Sequence, residues 1–137
     1  MLIAGITAIF SSKKGYEGAF ENGKFHGQGV YTYANGNEYK GSYENDMKHG
    51  QGVYTWVDGN RYEGAFENGK RHGQGVYTYA NGDKHVGGWK GDEMHGKITV
   101  IKENSDEIEE WYYYGEQTLR EQFWLREEFD LTCIVRA

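Results

Sequence analysis

The chain has 137 residues, with 21 Gly, no Pro, 12 Tyr and 16% aromatics. It is either a single unit or a repeat array; its aromatic content argues against long disorder, since disordered chains are poor in aromatics, and a transmembrane helix is excluded, since no stretch approaches about 18 consecutive apolar residues. The net charge of −6 is uneven: residues 1–102 carry 12 Lys and Arg against 11 Asp and Glu, and residues 103–137 carry 3 against 10. With no basic face to displace counterions from phosphates, nucleic acid is excluded as a partner.

Residues 1–10, MLIAGITAIF, are apolar but lack a basic segment in front, and Lys13 and Lys14 follow them. They read as an edge strand over 5–10 that pairs with 16–20 through a turn at 11–15, a secretory signal being the alternative. From Tyr16 the chain repeats. Residues 16–37 return at 62–83 with two changes, Arg71 for Phe25 and Asp83 for Asn37, and residues 39–60 hold the same frame, so the period is 23. A fourth copy opens at His85, keeps Gly87, Trp89, His95 and Gly96, and then departs, with Ile98 standing where Gly29, Gly52 and Gly75 stand before it.

Each unit reads as a β-hairpin. Tyr16, Gly18 and Phe20 alternate with Glu17 and Ala19, Gly27, Gly29, Tyr31 and Tyr33 alternate with Gln28, Val30 and Thr32, and Asn22-Gly23 between the two runs is turn chemistry. The alternation gathers rings and glycines on one face. Glycine in mid-strand weakens a sheet, so its placement there predicts a ring lying flat over each glycine. Tyr16, Tyr39 and Tyr62, with Phe20, Tyr43, Phe66 and Trp89, form ladders that are the core of a single-layer sheet. With no second layer, part of this face remains for a partner, which makes these seven the candidate binding residues.

Other candidates give way to simpler readings. His26, His49, His72 and His95 recur at the period, but equivalent positions two strands apart are separated by about 10 Å, too far to share a zinc ion at about 2.1 Å from each nitrogen. They read as locally bonded turn histidines. Gly27-x-Gly29 precedes strand rather than helix and so does not read as a phosphate loop. Cys133 sits in an apolar run with no nearby His, as a buried inert thiol does, and a single Cys fits a reducing compartment. Glu109 and Glu110 are neighbours on a strand and face opposite ways. No catalytic motif, cofactor or small-molecule substrate is indicated.

The pattern Tyr-x-Gly-x-(Phe/Tyr/Trp) followed by His-Gly-x-Gly-x-Tyr, over about residues 15–97, resembles the MORN repeat. That resemblance implies 23-residue hairpins stacked into an elongated twisted sheet, in arrays that serve as scaffolds, dimerising rods, partner-peptide grooves or lipid-associated modules. Departures from it are Asp46 and Asp92 at the turn glycine, His85 at the first Tyr, and Ile98.

Beyond the array, residues 111–114 read as a closing strand. Thr118 as N-cap with Glu121 three positions on predicts a helix over about 119–129 that packs Leu119, Phe123 and Leu125 on the last hairpin. Residues 131–135 are either a strand or the helix's continuation. The expected architecture is all-β: an elongated single-layer antiparallel meander of stacked hairpin repeats with a C-terminal capping helix. It comprises an edge strand or cap (1–14), an array (15–114; units about 15–37, 38–60, 61–83 and 84–107 plus the closing strand) and a helix with tail (115–137). The expected function is non-enzymatic binding or assembly, cytoplasmic, with a protein partner or second copy on the aromatic face or sheet ends. The alternative is a peripheral phospholipid-binding module using Lys24, Lys48, Lys70 and Arg71 along one edge, where Glu21, Glu44 and Glu67 nearly cancel them.

Overall fold

A computed structural model describes residues 11–13 and 15–136. The strands are β1 (Ser11–Lys13), β2 (Tyr16–Glu21), β3 (Lys24–Thr32), β4 (Glu38–Glu44), β5 (Met47–Thr55), β6 (Arg61–Glu67), β7 (Lys70–Thr78), β8 (Lys84–Lys90), β9 (Glu93–Ile101), β10 (Glu107–Tyr113) and β11 (Glu116–Thr118), followed by helix α1 (Arg120–Arg136). They form one sheet in strict chain order, every pair antiparallel. This is the all-β single-layer meander with a C-terminal helix that the repeat predicts. The strand expected over 5–10 and the side chain of Cys133 lie outside the described residues, while 131–135 belong to α1.

The core is made of tyrosines lying on glycines. Gly41 pairs with Gly52 across β4 and β5, and a Cβ added to Gly52 would meet Cε2 and Cζ of Tyr39 at 2.6 Å. The Tyr39 hydroxyl reaches over the glycines and donates to the carbonyl of Ser42 at 2.8 Å, as Tyr16 donates to Ala19 and Tyr62 to Ala65. Three tyrosines are thus fully buried in a sheet one layer thick. Edge-to-face contacts join one repeat to the next: Tyr39 meets Tyr43 at 5.1 Å and Phe66 at 5.0 Å, and Tyr62 meets Phe66 and Trp89, each at 5.2 Å.

The hairpin within each repeat also carries a bulge, where three residues of the second strand oppose one of the first (49–51 against Ser42). Gly50, at φ 78°, takes the conformation that this insertion requires. Two extra residues preserve alternation, so the faces inferred from the sequence hold on both sides of it.

The two departures in the fourth repeat compensate each other. His85 replaces the tyrosine, and Ile98 replaces the glycine that would have lain beneath it; Ile98 is fully buried, packed with Val100 and Tyr112. An aliphatic side chain fills the slot of the missing ring. Asp46 and Asp92 adopt positive φ, which Asp tolerates, and accept hydrogen bonds at 2.8 Å from the amides of Phe25 and Arg71 in the preceding repeat.

Histidine pairing explains how the array ends. His26, His49 and His72 pair with Glu21, Glu44 and Glu67 of their own hairpins at 3.1–3.4 Å. In the fourth repeat Lys90 stands at the glutamate position, and His95 pairs at 2.7 Å with Glu127 of α1 instead. Its Nδ1 accepts from the Tyr114 amide, so Nε2–H donates to the carboxylate. Phe123 is buried against His95 and Trp111, each at 5.2 Å, and Tyr113 donates to Asp130. Since Trp111 pairs with Lys97, in the alternation of Gln28 and Gln51, the helix covers the face opposite the tyrosines.

Two expectations about this segment are corrected. The helix begins at Arg120, and the Thr118 hydroxyl meets the Gln122 side chain at 3.2 Å, so Thr118 to Glu121 is not a capping box. Only Phe123 of the three expected contacts is buried. Leu119 and Leu125 are exposed, because Leu125 turns away from the side on which Phe123, Glu127 and Asp130 meet the sheet.

Candidate functional site

Of the seven residues named from sequence, Tyr16, Tyr39, Tyr43, Tyr62, Phe66 and Trp89 are buried, and Phe20 is half-buried. Six of them therefore form the floor of the aromatic face, and a partner on that face would meet the rings above them. The reason is local. Across each hairpin Tyr39 faces Tyr54, and Tyr62 faces Tyr77; the first ring of each pair lies down over the glycines, and the second stays half-exposed.

The half-exposed rings make a continuous row. Tyr31 meets Tyr33 at 4.6 Å, Tyr33 meets Tyr54 at 5.6 Å, Tyr54 meets Trp56 at 4.5 Å, Trp56 meets Tyr77 at 5.3 Å, and Tyr77 meets Tyr79 at 4.8 Å. The row crosses three repeats. Its alternation is visible in the sequence; what hides it is that nothing there distinguishes the ring that lies down from the one that stands.

A second position also turns onto this face. Phe25, Lys48, Arg71 and Met94 are equivalent across the four repeats and share the alternation of the glycines that follow them. Phe25 stacks on Tyr16 at 3.9 Å and 9°. Lys48 places its ammonium 4.8 Å from the Tyr54 ring centre and 5.5 Å from that of Phe66, and the Arg71 guanidinium lies 4.6 Å from the Trp89 ring centre. The edge cations expected from sequence are therefore reduced by two, Lys48 and Arg71 belonging to the aromatic face.

Between them lies a cleft of about 180 Å³ lined by Lys48, Tyr54, Trp56, Phe66, Arg71 and Asp92. Arg71 is held by Asp92, through Nε to Oδ1 at 3.3 Å and NH2 to the carbonyl oxygen at 2.7 Å. Lys48 has ring contacts, and among the described residues no carboxylate pairs with it. Burial pushes its pKa down, the Asp92 carboxylate opposes that, and the Arg71 guanidinium adds to it. A larger depression, about 430 Å³, lies on the opposite face, where Lys40 and Arg61 alternate with Glu38 and Glu63. Arg61 and Glu63 pair there at 3.0 Å, so that surface presents no net charge to a ligand.

The tyrosines give the fold an alkaline limit. Burial pushes Tyr62 up to about 12, the Arg71 guanidinium opposing it and Asp92 adding to it, and burial with the phenols of Tyr54 and Tyr31 pushes Tyr33 up to about 12. An unfolded tyrosine ionises near about 10. The folded state thus holds these protons more tightly, and stability present below pH 10 is lost as pH rises from about 10 through 12. Thermal midpoints should fall across that interval, and phenolate absorbance in the folded protein should lag behind that of the denatured chain. Coincident titration curves would contradict the burial described.

The fold and its surface define a class: a single-layer β-hairpin repeat protein with an aromatic face. The MORN repeat matches residues 16–38, 39–61, 62–84 and 85–97. The chain belongs to the MORN repeat family, whose non-catalytic repeats generally serve as protein- or membrane-binding modules. No curated protein gives a significant match to the chain. Among the described residues no helix is long and apolar enough to cross a membrane, and no cluster of three or more His, Cys, Asp or Glu could hold a metal ion.

Proposed function

We propose that this chain is a non-enzymatic, cytoplasmic binding and assembly module that holds a protein partner on its aromatic face. The observation carrying this reading is the unbroken row Tyr31 to Tyr79, half-exposed on a face that no described element covers. Half-buried Tyr and Trp supply large contact area at little entropic cost, and rings beside cations are the residue types that dominate protein interfaces. Support for the non-enzymatic part comes from the histidines, which are engaged in the same His–Glu pair three times over, as a structural repeat requires.

The lipid alternative is weakened by the position of Lys48 and Arg71 over rings, which leaves Lys24 and Lys70 as the exposed lysines at those turns. Two assays separate the readings. Immobilised wild-type chain should retain proteins that the Tyr54→Ser/Trp56→Ser variant, still folded by circular dichroism, does not retain. Anionic liposomes should sediment neither protein at either of two salt concentrations. Retention of the same proteins by both chains, or salt-sensitive sedimentation with liposomes, would count against a protein partner on this face.

A further inference from the structure

We infer that the cleft beside Gly69 binds an aspartate or glutamate side chain of a partner peptide, its carboxylate seated between the ammonium and the backbone amide of Lys48 and its neighbouring apolar side chains lying on Tyr54 and Trp56. This rests on the reading above and names the chemistry of the partner.

The repeat supplies the first observation. From the second unit onward, one turn position is occupied in succession by Asp46, Gly69, Asp92 and Gly115. Each takes positive φ and donates its amide to a carbonyl oxygen of the preceding unit, that of Phe25, Lys48, Arg71 or Met94. Where the turn residue is Asp, its carboxylate returns the bond. Asp46 accepts from the Phe25 amide and Asp92 from the Arg71 amide, both at 2.8 Å, and Asp92 also accepts from Nε of Arg71 at 3.3 Å. Gly69 keeps the backbone geometry without the carboxylate. The backbone and the cation of Lys48 thus hold the place that those of Arg71 hold one unit later, with no turn side chain to accept from them.

Space supplies the second. A Cβ on Gly69 would meet nothing within 4 Å, and Gly69, Lys48, Tyr54 and Trp56 line the same cleft of about 180 Å³. A pocket for a whole small molecule needs about 300 Å³ or more. This one takes a single side chain, and the remainder of its ligand lies outside, on the half-exposed ring row.

Charge supplies the third. The other members of the series are committed within the fold: Phe25 stacks on Tyr16, Arg71 is held by Asp92, and Met94 meets His85. Arg71 and Asp92 offset each other at the wall of the cleft, and among the described residues no carboxylate pairs with Lys48. Its ammonium sits over the rings of Tyr54 and Phe66, where burial disfavours the charge. A carboxylate arriving there restores the charged form through charge-assisted hydrogen bonds. The fold already places its own aspartates at this position twice, so a protein carboxylate suits it, and the adjoining rings select apolar residues beside the acid.

Selection of peptides from a random displayed library on the immobilised chain tests this. Peptides retained by the wild type should share an acidic residue beside aromatic or aliphatic ones. Their affinity should fall about tenfold or more with Lys48→Met, which installs the residue type of the fourth unit, and with Gly69→Asp, which supplies the carboxylate from within. Lys70→Met, removing an exposed charge beside the same turn, should leave affinity unchanged. Gly69→Asp repeats what Asp46 and Asp92 do at this position, and Lys48→Met keeps the test interpretable should it fail to fold. A wild type that retains no peptide, retained peptides without a shared acid, or wild-type affinity in folded Gly69→Asp overturns the inference. So does binding of anionic liposomes or of a second copy that Gly69→Asp abolishes, since the slot then has another occupant. If peptides lacking the acid are still lost by Tyr54→Ser/Trp56→Ser, the aromatic face stands as a binding surface and only the assignment of this cleft fails.

Discussion

Replacing Gly52 or Gly41 by Val should lower the thermal midpoint well below that of Gln51→Val. A Cβ on Gly52 enters the Tyr39 ring, with Cε2 and Cζ at 2.6 Å, and one on Gly41 meets the Gly52 Cα at 2.5 Å and the Gln51 carbonyl oxygen at 2.6 Å. The ring is pinned on its other side by Tyr43 and Phe66 and at its tip by the bond to Ser42, so it cannot move aside without opening both neighbouring repeats. Overpacking of this kind costs about 1–3 kcal/mol, or roughly 3–6 °C per kcal/mol for a chain of this size. Gln51 is exposed on the other face, where Val suits a strand, so its variant should stay near the wild-type midpoint. Equal shifts in the three variants would show that the rings do not rest on the glycines.

Phe123→Ala should release the C-terminal helix. Phe123 is the one large apolar side chain of α1 buried among the described residues, in contact with His95, Trp111, Tyr113 and Trp124. Truncating a buried Phe costs about 3–5 kcal/mol, which exceeds what one charged hydrogen bond from His95 to Glu127 contributes, about 1.5–3 kcal/mol. Amides of residues 120–131 should therefore exchange rapidly in the variant, while those of β4–β7, whose contacts are with neighbouring repeats, keep their protection. Glu127 is not a neutral control, since it replaces the glutamate missing at Lys90. Glu121→Gln, on the solvent side of the helix, serves that purpose, and loss of protection there equal to that of Phe123→Ala would show that the helix is held by something other than the Phe123 pocket.

The hairpins, their turns and the two faces were legible because a 23-residue period prints the same alternation three times, and alternation is what a sheet converts into sides. The tyrosine-on-glycine core was legible from the cost of glycine in mid-strand. Which member of a ring pair lies down was not, because Tyr39 and Tyr54 are the same residue type and only the register decides that Tyr39 crosses both glycines. The candidate residues therefore proved to be mostly floor, with the accessible row one strand further on. Lys48 and Arg71 could have been placed on the rings by alternation alone; reading them as edge charges followed the turn and overlooked the strand. The helix was legible, but its seated side was not, because Leu119, Phe123, Leu125 and Phe129 are all apolar, and what seats Phe123 is the His95 and Trp111 rings and the His95–Glu127 bond, contacts between segments far apart in sequence.

Tyrosine nitration mapped by mass spectrometry, on the free chain and on the chain bound to whatever it retains, including a second copy, tests the central claim most directly. Tyr31, Tyr54 and Tyr77 should be modified in the free chain and protected when bound, while Tyr16, Tyr39 and Tyr62, fully buried, stay unmodified in both states. Protection confined to tyrosines off this face, such as Tyr113 and Tyr114, with the row still reactive in the complex, would contradict the assignment of the aromatic face as the binding surface.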